Sequence, residues 1–443
     1  MSRPTIAILG GGVAGVVLAK ELAATGVADV EILEGSVRLG GLQQSVRIGS
    51  AVYDIGAFVF DPVHDLLKTF PGLYESFVQV PHRSVTLTRH GTFDRYPMTI
   101  RGYLRDNGLA HCAVAAADLL ASKLLYFKRD TLVRYVKYYL GTTIYERSGL
   151  KSYIERFYCT DDTSVDLEFA RQRLTPLERE CRLRNNLIRI MRDAGNHDAR
   201  IAPWHCYVRS REGFGHAYHQ IVRPALEAAG VRIVMNCTIE RIARLGDGFI
   251  VETDGGSRLY DQVISTIPIP AAARYMNVDL TASFTTMSLV SLFYRLDGDA
   301  GFDGSFLYNF TDAGRWKRIT LFSSYYGRCE GDEYFVVECT VRGRREDAIE
   351  CQRRLFEEHI ASTPAMRGRL RYEGGLLTPD AYPFYGRGET EAVAHARRQL
   401  QDAGLMLAGR QGRFDYLTSN AVAAASRTLA ASVAAPHADA GGR

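Results

Sequence analysis

The run "TIAILGGGVAGVVLAKELAATGVADVEILEG", Thr5 to Gly35, constrains the fold more than any other part of the chain. A short buried strand, Thr5 to Leu9, leads into Gly10, Gly12 and Gly15 at the spacing G-x-G-x-x-G. An apolar helix to Ala24 and a second strand, Val30 to Leu33, follow. In such a unit the first glycine makes the sharp turn, the second lets a pyrophosphate approach the backbone, and the third lets helix and strand pack closely. The helix start at Val13 and Ala14 offers unpaired N–H groups and a partial positive charge to phosphate. Glu34, ending the second strand, is placed to accept the hydroxyls of an adenosine ribose. A plain glycine-rich turn would leave both the βαβ setting and this acid unexplained. The fold class is therefore α/β, with a dinucleotide-binding unit at the N-terminus.

The residues that follow narrow the dinucleotide. "EGSVRLGGLQQS" supplies Arg38, Gly40, Gly41 and Leu42, and "YDIGAFVF" supplies Asp54, Gly56, Ala57 and Phe58. These resemble the R-x-G-G and D-x-G-A/P motifs of flavoproteins of the amine oxidase, protoporphyrinogen oxidase and UDP-galactopyranose mutase type. The resemblance implies FAD, held by Arg38, Gly40, Gly41, Leu42, Gly56, Ala57 and Phe58 as well as by the first motif. It also implies a Rossmann-type, glutathione-reductase-like FAD-binding domain, a sheet-containing substrate domain and an inserted helical unit. Glycine pairs suit a long cofactor because they permit close backbone approach.

On this reading residues 1–62 form the first part of the FAD domain and 63–207 a mainly helical unit roofing a pocket. Residues 208–270 and 401–435 complete the FAD domain, 271–400 form the substrate sheet and a helix, and 436–443 a disordered tail. The resemblance implies that the backbone at Thr238 and Ile239 brackets the adenine end. "YDQVISTIPIP" is then the strand returning to the FAD domain.

Two stretches resemble the UDP-galactopyranose mutase family more closely. "GRWKRITLFSSYY" matches the segment in which an arginine reaches the diphosphate of a sugar nucleotide, here Arg318. "LAGRQGRFDYLTSN" matches the pattern G-R-x-G-x-[YF]-x-Y-L. The match implies that Gly409 and Arg410 lie at the flavin and substrate phosphates, and that Phe414 and Tyr416 face substrate. Leu417, Thr418 and Ser419 would open a helix toward the flavin. "AYPFYGRGE" adds Arg387 as a weaker phosphate candidate. Arginine suits these places because its planar fork pairs with phosphate oxygens and keeps its charge. Four positions depart from the family: Phe58 and Asp61 stand where mutases carry histidines, Phe414 replaces a tyrosine, and Asp415 replaces a residue that is often basic or polar.

The formal net charge of +4 is too small and too evenly spread for nucleic-acid binding. Eight cysteines without metal or redox spacing point to reduced thiols in the cytoplasm. The apolar stretch from Leu109 to Leu140 carries Asp118 and Lys123 and fails as a membrane span; an ordinary amphipathic helix pair is expected, with docking on a membrane surface as the alternative. His205, His216 and His219 read as surface or packing residues, and Trp204 and Trp316 as core before stacking platforms.

Three functions stay open. The resemblance implies a mutase-like enzyme in which reduced flavin N5 attacks the anomeric carbon of a nucleotide sugar. Arg318, Arg410 and Tyr416 would stabilise the leaving diphosphate, and NAD(P)H or a reductase would reduce the flavin. An FAD oxidoreductase acting on an amine, alcohol or CH–CH donor is the alternative, and a non-catalytic flavin-fold scaffold is the third.

Overall fold

The computed structural model of the chain describes residues 3–173, 204–280 and 284–440. The arginine-rich stretch Arg179 to Arg192, whose helical spacing predicts a solvated helix face, lies outside them.

The expected dinucleotide unit sits in a five-stranded parallel sheet. Its strands, in spatial order, are Met406–Leu407, Gln262–Ser265, Thr5–Leu9, Asp29–Leu33 and Arg232–Val234. The central strand alternates between two apolar layers. Ile6 and Ile8 pack with Val16 and Leu18 of the helix Val13–Thr25 and with Ala423 and Ala430 of the C-terminal helix. Ala7 and Leu9 face a three-stranded antiparallel sheet, residues 239–260, through Ile242 and Val251. A strand covered on both sides needs a nearly continuous apolar run, and "AIL" at its end supplies one.

The substrate-side sheet has seven strands in the order Met366–Pro383, Thr286–Ala300, Glu333–Arg342, Trp316–Leu321, Phe306–Asn309, Ser84–Leu87 and Phe93–Arg95. One face packs on the helix Ala348–Ile360 through Trp316, Phe335 and Phe356. The other face receives the loop after the hairpin Ser45–Ile48/Ala51–Asp54: Ser291 Oγ donates to Ile55 O. Flavin-motif residues and substrate sheet are thereby in direct contact.

Three boundaries differ from the sequence reading. Residues 63–207 are not uniformly helical. Val78–His82 pairs with Trp204–Val208, and Ser84–Leu87 and Phe93–Arg95 extend the large sheet. "VQV" and "SVTL" place apolar residues at period two, Val78 and Val80, then Val85 and Leu87, a strand signal outweighed by the helical pattern that follows. The helix Glu389–Asp402 packs through Val393, Ala396 and Leu400 on the parallel-sheet side, although residues up to 400 were assigned to the substrate unit. The last helix, Ser419–Ala440, continues past the expected limit at Ala435.

Between the large sheet and the helices Leu132–Leu140, Thr142–Arg147 and Leu150–Tyr158 lies an aromatic layer that includes Tyr135, Tyr145, Tyr153, Phe157, Tyr308 and Tyr416. Arg156, buried in this seam, donates to the carbonyls of Asn309, Thr311 and Gly314 and ties helix to sheet.

Candidate functional site

The cradle for a dinucleotide is made of backbone. Gly10 has φ +97°, which an L side chain rarely adopts. A Cβ on Gly15 would lie 1.9 Å from Gly10 O, so no other residue fits there. Gly41, with φ +56°, brings its Cα close enough to Gly12 that an added Cβ would lie 3.0 Å from the Gly12 Cα. The helix Val13–Thr25 begins at Gly12 without a side-chain cap, leaving its first N–H groups available. Glu34 accepts from Gly11 N at 2.6 Å and Ser36 N at 2.8 Å, which fixes its carboxylate at the strand end with further lone pairs to spare. A cavity of about 250 Å³ opens beyond it, lined by Leu33, Val234, Asn236, Cys237 and Asp254 among others. Thr238 N donates to Asp254 Oδ1, and Ile239 is buried beside that cavity's wall. The donors, glycines and acid present fit an FAD.

The C-terminal loop closes this cradle. A Cβ on Gly409 would meet Ala14 Cβ at 2.7 Å, and one on Gly412 would meet Ser265 O at 2.4 Å. Arg410 folds back through Nε and Nη2 onto Leu417 O, which sets the span Arg410 to Leu417 as a hydrogen-bonded turn. Thr418 Oγ1 accepts from Ala421 N and caps the C-terminal helix, while Ser419 Oγ bonds His64 Nε2 at 3.0 Å. Burial lowers the His64 pKa to about 4, so that imidazole is neutral at pH 7.

A second cluster faces the flavin motif from the large sheet. Glu338 is fully buried, and its Oε1 accepts from Arg318 Nε at 2.7 Å. Its Oε2 makes no hydrogen bond and lies 3.4 Å from Lys317 Nζ. A Cβ on Gly56 would also lie 3.4 Å from that oxygen. Lys317 donates to Tyr382 Oη at 3.1 Å and sits 4.4 Å from the Tyr382 ring centroid. The Tyr382 ring stacks on Tyr416 at 5.5 Å, and the Arg410 guanidinium lies 5.6 Å from both rings. Arg318 also donates to Tyr308 Oη at 3.2 Å.

Burial alone would raise the Glu338 carboxyl, but the Arg318 and Lys317 charges outweigh it and hold it below the usual carboxylate range. Burial would likewise lower Lys317, yet Tyr382 and Glu338 hold it above its ordinary value. Both groups are therefore charged at neutral pH. Lys317 and Arg318 thus share the one carboxylate of Glu338, and Arg410 adds a third cation on the far side of the Tyr382 and Tyr416 rings.

How adjacent Lys317 and Arg318 reach one carboxylate is a matter of register. In a regular strand they would point to opposite faces. Trp316 pairs with Cys339 and Arg318 with Glu338, so Lys317 is an extra residue in a β-bulge. Trp316, Ile319 and Leu321 all enter the apolar core, which confirms that the face switches within the bulge.

Comparison with known proteins fits this geometry. The family model described as "Flavin containing amine oxidoreductase" matches residues 13–299. The chain belongs to this family. As a flavin-containing amine oxidoreductase family member it is an FAD-dependent enzyme. It is similar to reduced UDP-galactopyranose mutase, with TM-score 0.72 and 16% identity over 97% of this chain and 95% of that one. A candidate protoporphyrinogen oxidase from Exiguobacterium gives 0.69 and 18%, covering 98% of this chain and 99% of that one. Putrescine oxidase bound to putrescine gives 0.60 and 14%, also covering 98% and 99%. At these identities the structural likeness shows the fold that mutase and oxidases share.

The candidate residues of this flavoenzyme fall into two groups. Gly10, Gly12, Val13, Ala14, Gly15, Glu34, Gly40 and Gly41 share the first cradle, and Gly409 closes on it. Leu42 is half-buried and Arg38 exposed, its side chain near Gly215. Gly56 abuts Glu338, Ala57 borders the aromatic layer, and Phe58 packs edge-on against Phe214. Arg318, Arg410 and Tyr416 join the second cluster through Lys317 and Tyr382.

Two residues lie elsewhere. The Phe414 side chain is buried with Phe284 and Leu407 in the layer beneath the parallel sheet, because φ +54° turns it away from Tyr416. Arg387 is exposed on the turn before the helix Glu389–Asp402. Asp415 is ion-paired with Arg397 at 2.6 Å and Arg413 at 3.0 Å, which offsets its charge near the site. Trp316 is core, whereas Trp204 is 44% exposed and edge-on to His82. Glu338 carried no motif; Lys317 lies inside "GRWKRITLFSSYY" and Tyr382 inside "AYPFYGRGE", where only Arg318 and Arg387 stood out as candidates.

Proposed function

We propose that this FAD enzyme acts on an anionic substrate carrying a diphosphate, a nucleotide sugar, with a mutase-like outcome. The observation that carries the reading is the charge of the second cluster: Lys317, Arg318 and Arg410 against the single carboxylate of Glu338. In a buried pocket such an excess of cations favours an anion and repels a protonated amine. The stacked Tyr382 and Tyr416 rings, which in an empty aromatic cage would attract an ammonium ion, already lie beside Lys317 and Arg410.

Arg318 spends its donors on Glu338 and Tyr308 and acts through its fixed charge. Lys317, buried against Tyr382 and Glu338, likewise acts through its charge, whereas Arg410, half-buried beside Tyr416, would be the arginine that meets the phosphate oxygens. Such preorganised cations stabilise the negative charge that grows on a departing diphosphate. When bound, FAD would supply the reactive flavin ring, and Gly56 and Ala57, which lie against this cluster, would be among the residues that hold it. An oxidase reading fits the same site only for a neutral or anionic donor.

Reduced, anaerobic enzyme mixed with UDP-hexoses should interconvert pyranose and furanose forms, read by chromatography of the nucleotide sugars. Arg410→Met should lower the rate at least about tenfold, a loss of roughly 1.4 kcal/mol of stabilisation. If no nucleotide sugar binds, and an amine or alcohol instead bleaches the oxidised flavin, the reading is wrong.

A further inference from the structure

The helix Leu109–Leu125 does not behave as the amphipathic helix expected from its sequence. Only Ala115 and Ser122 are buried, and every exposed residue on it is apolar. Leu109, Val114, Leu120, Leu124 and Leu125 are 58–80% exposed, and the rest of the exposed set is alanine. Its two charged side chains turn inward: Asp118 accepts from Thr143 N at 2.6 Å, and Lys123 donates to Tyr138 O at 2.5 Å. At α-helical spacing the exposed residues sweep about half of the circumference. A helix seated on one partner helix needs only a narrower apolar seam. A half-cylinder suits immersion in a fluid apolar medium.

The flanks say which medium. Phe127, 64% exposed, follows the helix and is succeeded by exposed Lys128 and Arg129. From Ile100 to Lys151 there are nine Lys or Arg against four Asp or Glu, an excess of five where the whole chain carries +4. The segment around this helix thus carries a local excess of positive charge, which matches an anionic lipid surface and opposes close approach of a second copy. No helix among the described residues is long and apolar enough to cross a membrane.

We propose that Leu109–Leu125 is a docking helix that lies in the plane of an anionic lipid surface. Its apolar half enters the acyl boundary, Lys128 reaches the headgroups along its aliphatic stem, and Arg129, which donates to Tyr139 Oη at 2.9 Å, adds its charge beside it. The helix packs on Leu132–Leu140 and Thr142–Arg147, whose Tyr135, Tyr139 and Tyr145 belong to the aromatic layer that holds Tyr416. Docking would set the substrate pocket one helical layer from the lipid.

The test is co-sedimentation of the FAD-loaded full chain with vesicles of roughly 7:3 phosphatidylcholine to phosphatidylglycerol, and with phosphatidylcholine alone. Wild type should bind the anionic vesicles and lose binding at high salt. Leu120→Glu/Leu124→Glu should lose binding at least about tenfold with flavin content and circular dichroism unchanged. Lys128→Gln/Arg129→Gln should weaken binding roughly thirtyfold at low salt. Failure of wild type to bind, or equal binding by the Leu120→Glu/Leu124→Glu protein, overturns the proposal. So does a wild-type dimer in sedimentation velocity that this double variant dissociates, because the face would then be a contact between copies.

Discussion

The cofactor cradle and the substrate-side cluster are built on opposite principles. The cradle is backbone: Gly10, Gly12, Gly15 and Gly41 work by lacking side chains, and a Cβ at Gly15 would meet a carbonyl at 1.9 Å. The cluster is side chain: Lys317, Arg318 and Glu338 are long ionisable groups brought together from two strands, with a buried carboxylate at the centre. The cradle is therefore intolerant of an added side chain at Gly10, Gly15 and Gly41. The cluster is intolerant of a lost charge and more forgiving of shape.

The largest effect should fall on the cradle. Gly15→Val forces helix and strand apart and should cost more than about 4 kcal/mol, the range of severe core disruption. The expected outcome is colourless protein, read as flavin absorbance per mole of soluble chain. Yellow, stoichiometric Gly15→Val would break the comparison.

Glu338→Ala should come next. It leaves Lys317 and Arg318 charged and unpaired in a buried seam, with a loss of about 3–5 kcal/mol in a urea melt. Glu338→Gln keeps the shape and one acceptor, and should cost less. If both variants melt like wild type, the cluster is solvated and the charge argument fails.

A smaller effect concerns pH. Burial lowers the pKa of His64 to about 4, and burial together with Arg318 does the same for His82. An unfolded histidine titrates near 6.5 and binds its proton first as pH falls, so stability drops between about pH 6.5 and 4. Each contributes up to roughly 3 kcal/mol over that window. His82→Gln, which keeps polar contacts to Tyr325 and Ser84, should flatten the acid limb of stability against pH; an unchanged limb would show that His82 is solvated.

The same contrast explains what could be read from sequence. Glycine spacing, an acid at a strand end and a strand–turn–helix order report backbone geometry directly, so the parallel sheet and the FAD cradle were legible. Gly409 and Arg410 were legible because their loop is short and local. The Lys317–Glu338 contact depends on a one-residue bulge that shifts facing within a strand, and nothing in "WKRITL" fixes a bulge. Phe414 misled for a related reason: a positive φ in a non-glycine residue reverses the side chain that pattern matching aimed at substrate. For Leu109–Leu125 the sequence left a helix pair and a surface-docking face undecided, since an alanine- and leucine-rich helix looks alike whether it meets protein or solvent.

The central claim is that the cluster beside the flavin motif binds an anion. Its most direct test is titration of UDP into the oxidised, FAD-loaded enzyme, followed by the change in the flavin absorption spectrum. The account predicts a saturable change that weakens with salt and is at least about tenfold weaker in Arg410→Met, or roughly 1.4 kcal/mol. A flavin spectrum untouched by UDP but perturbed saturably by a diamine would contradict it.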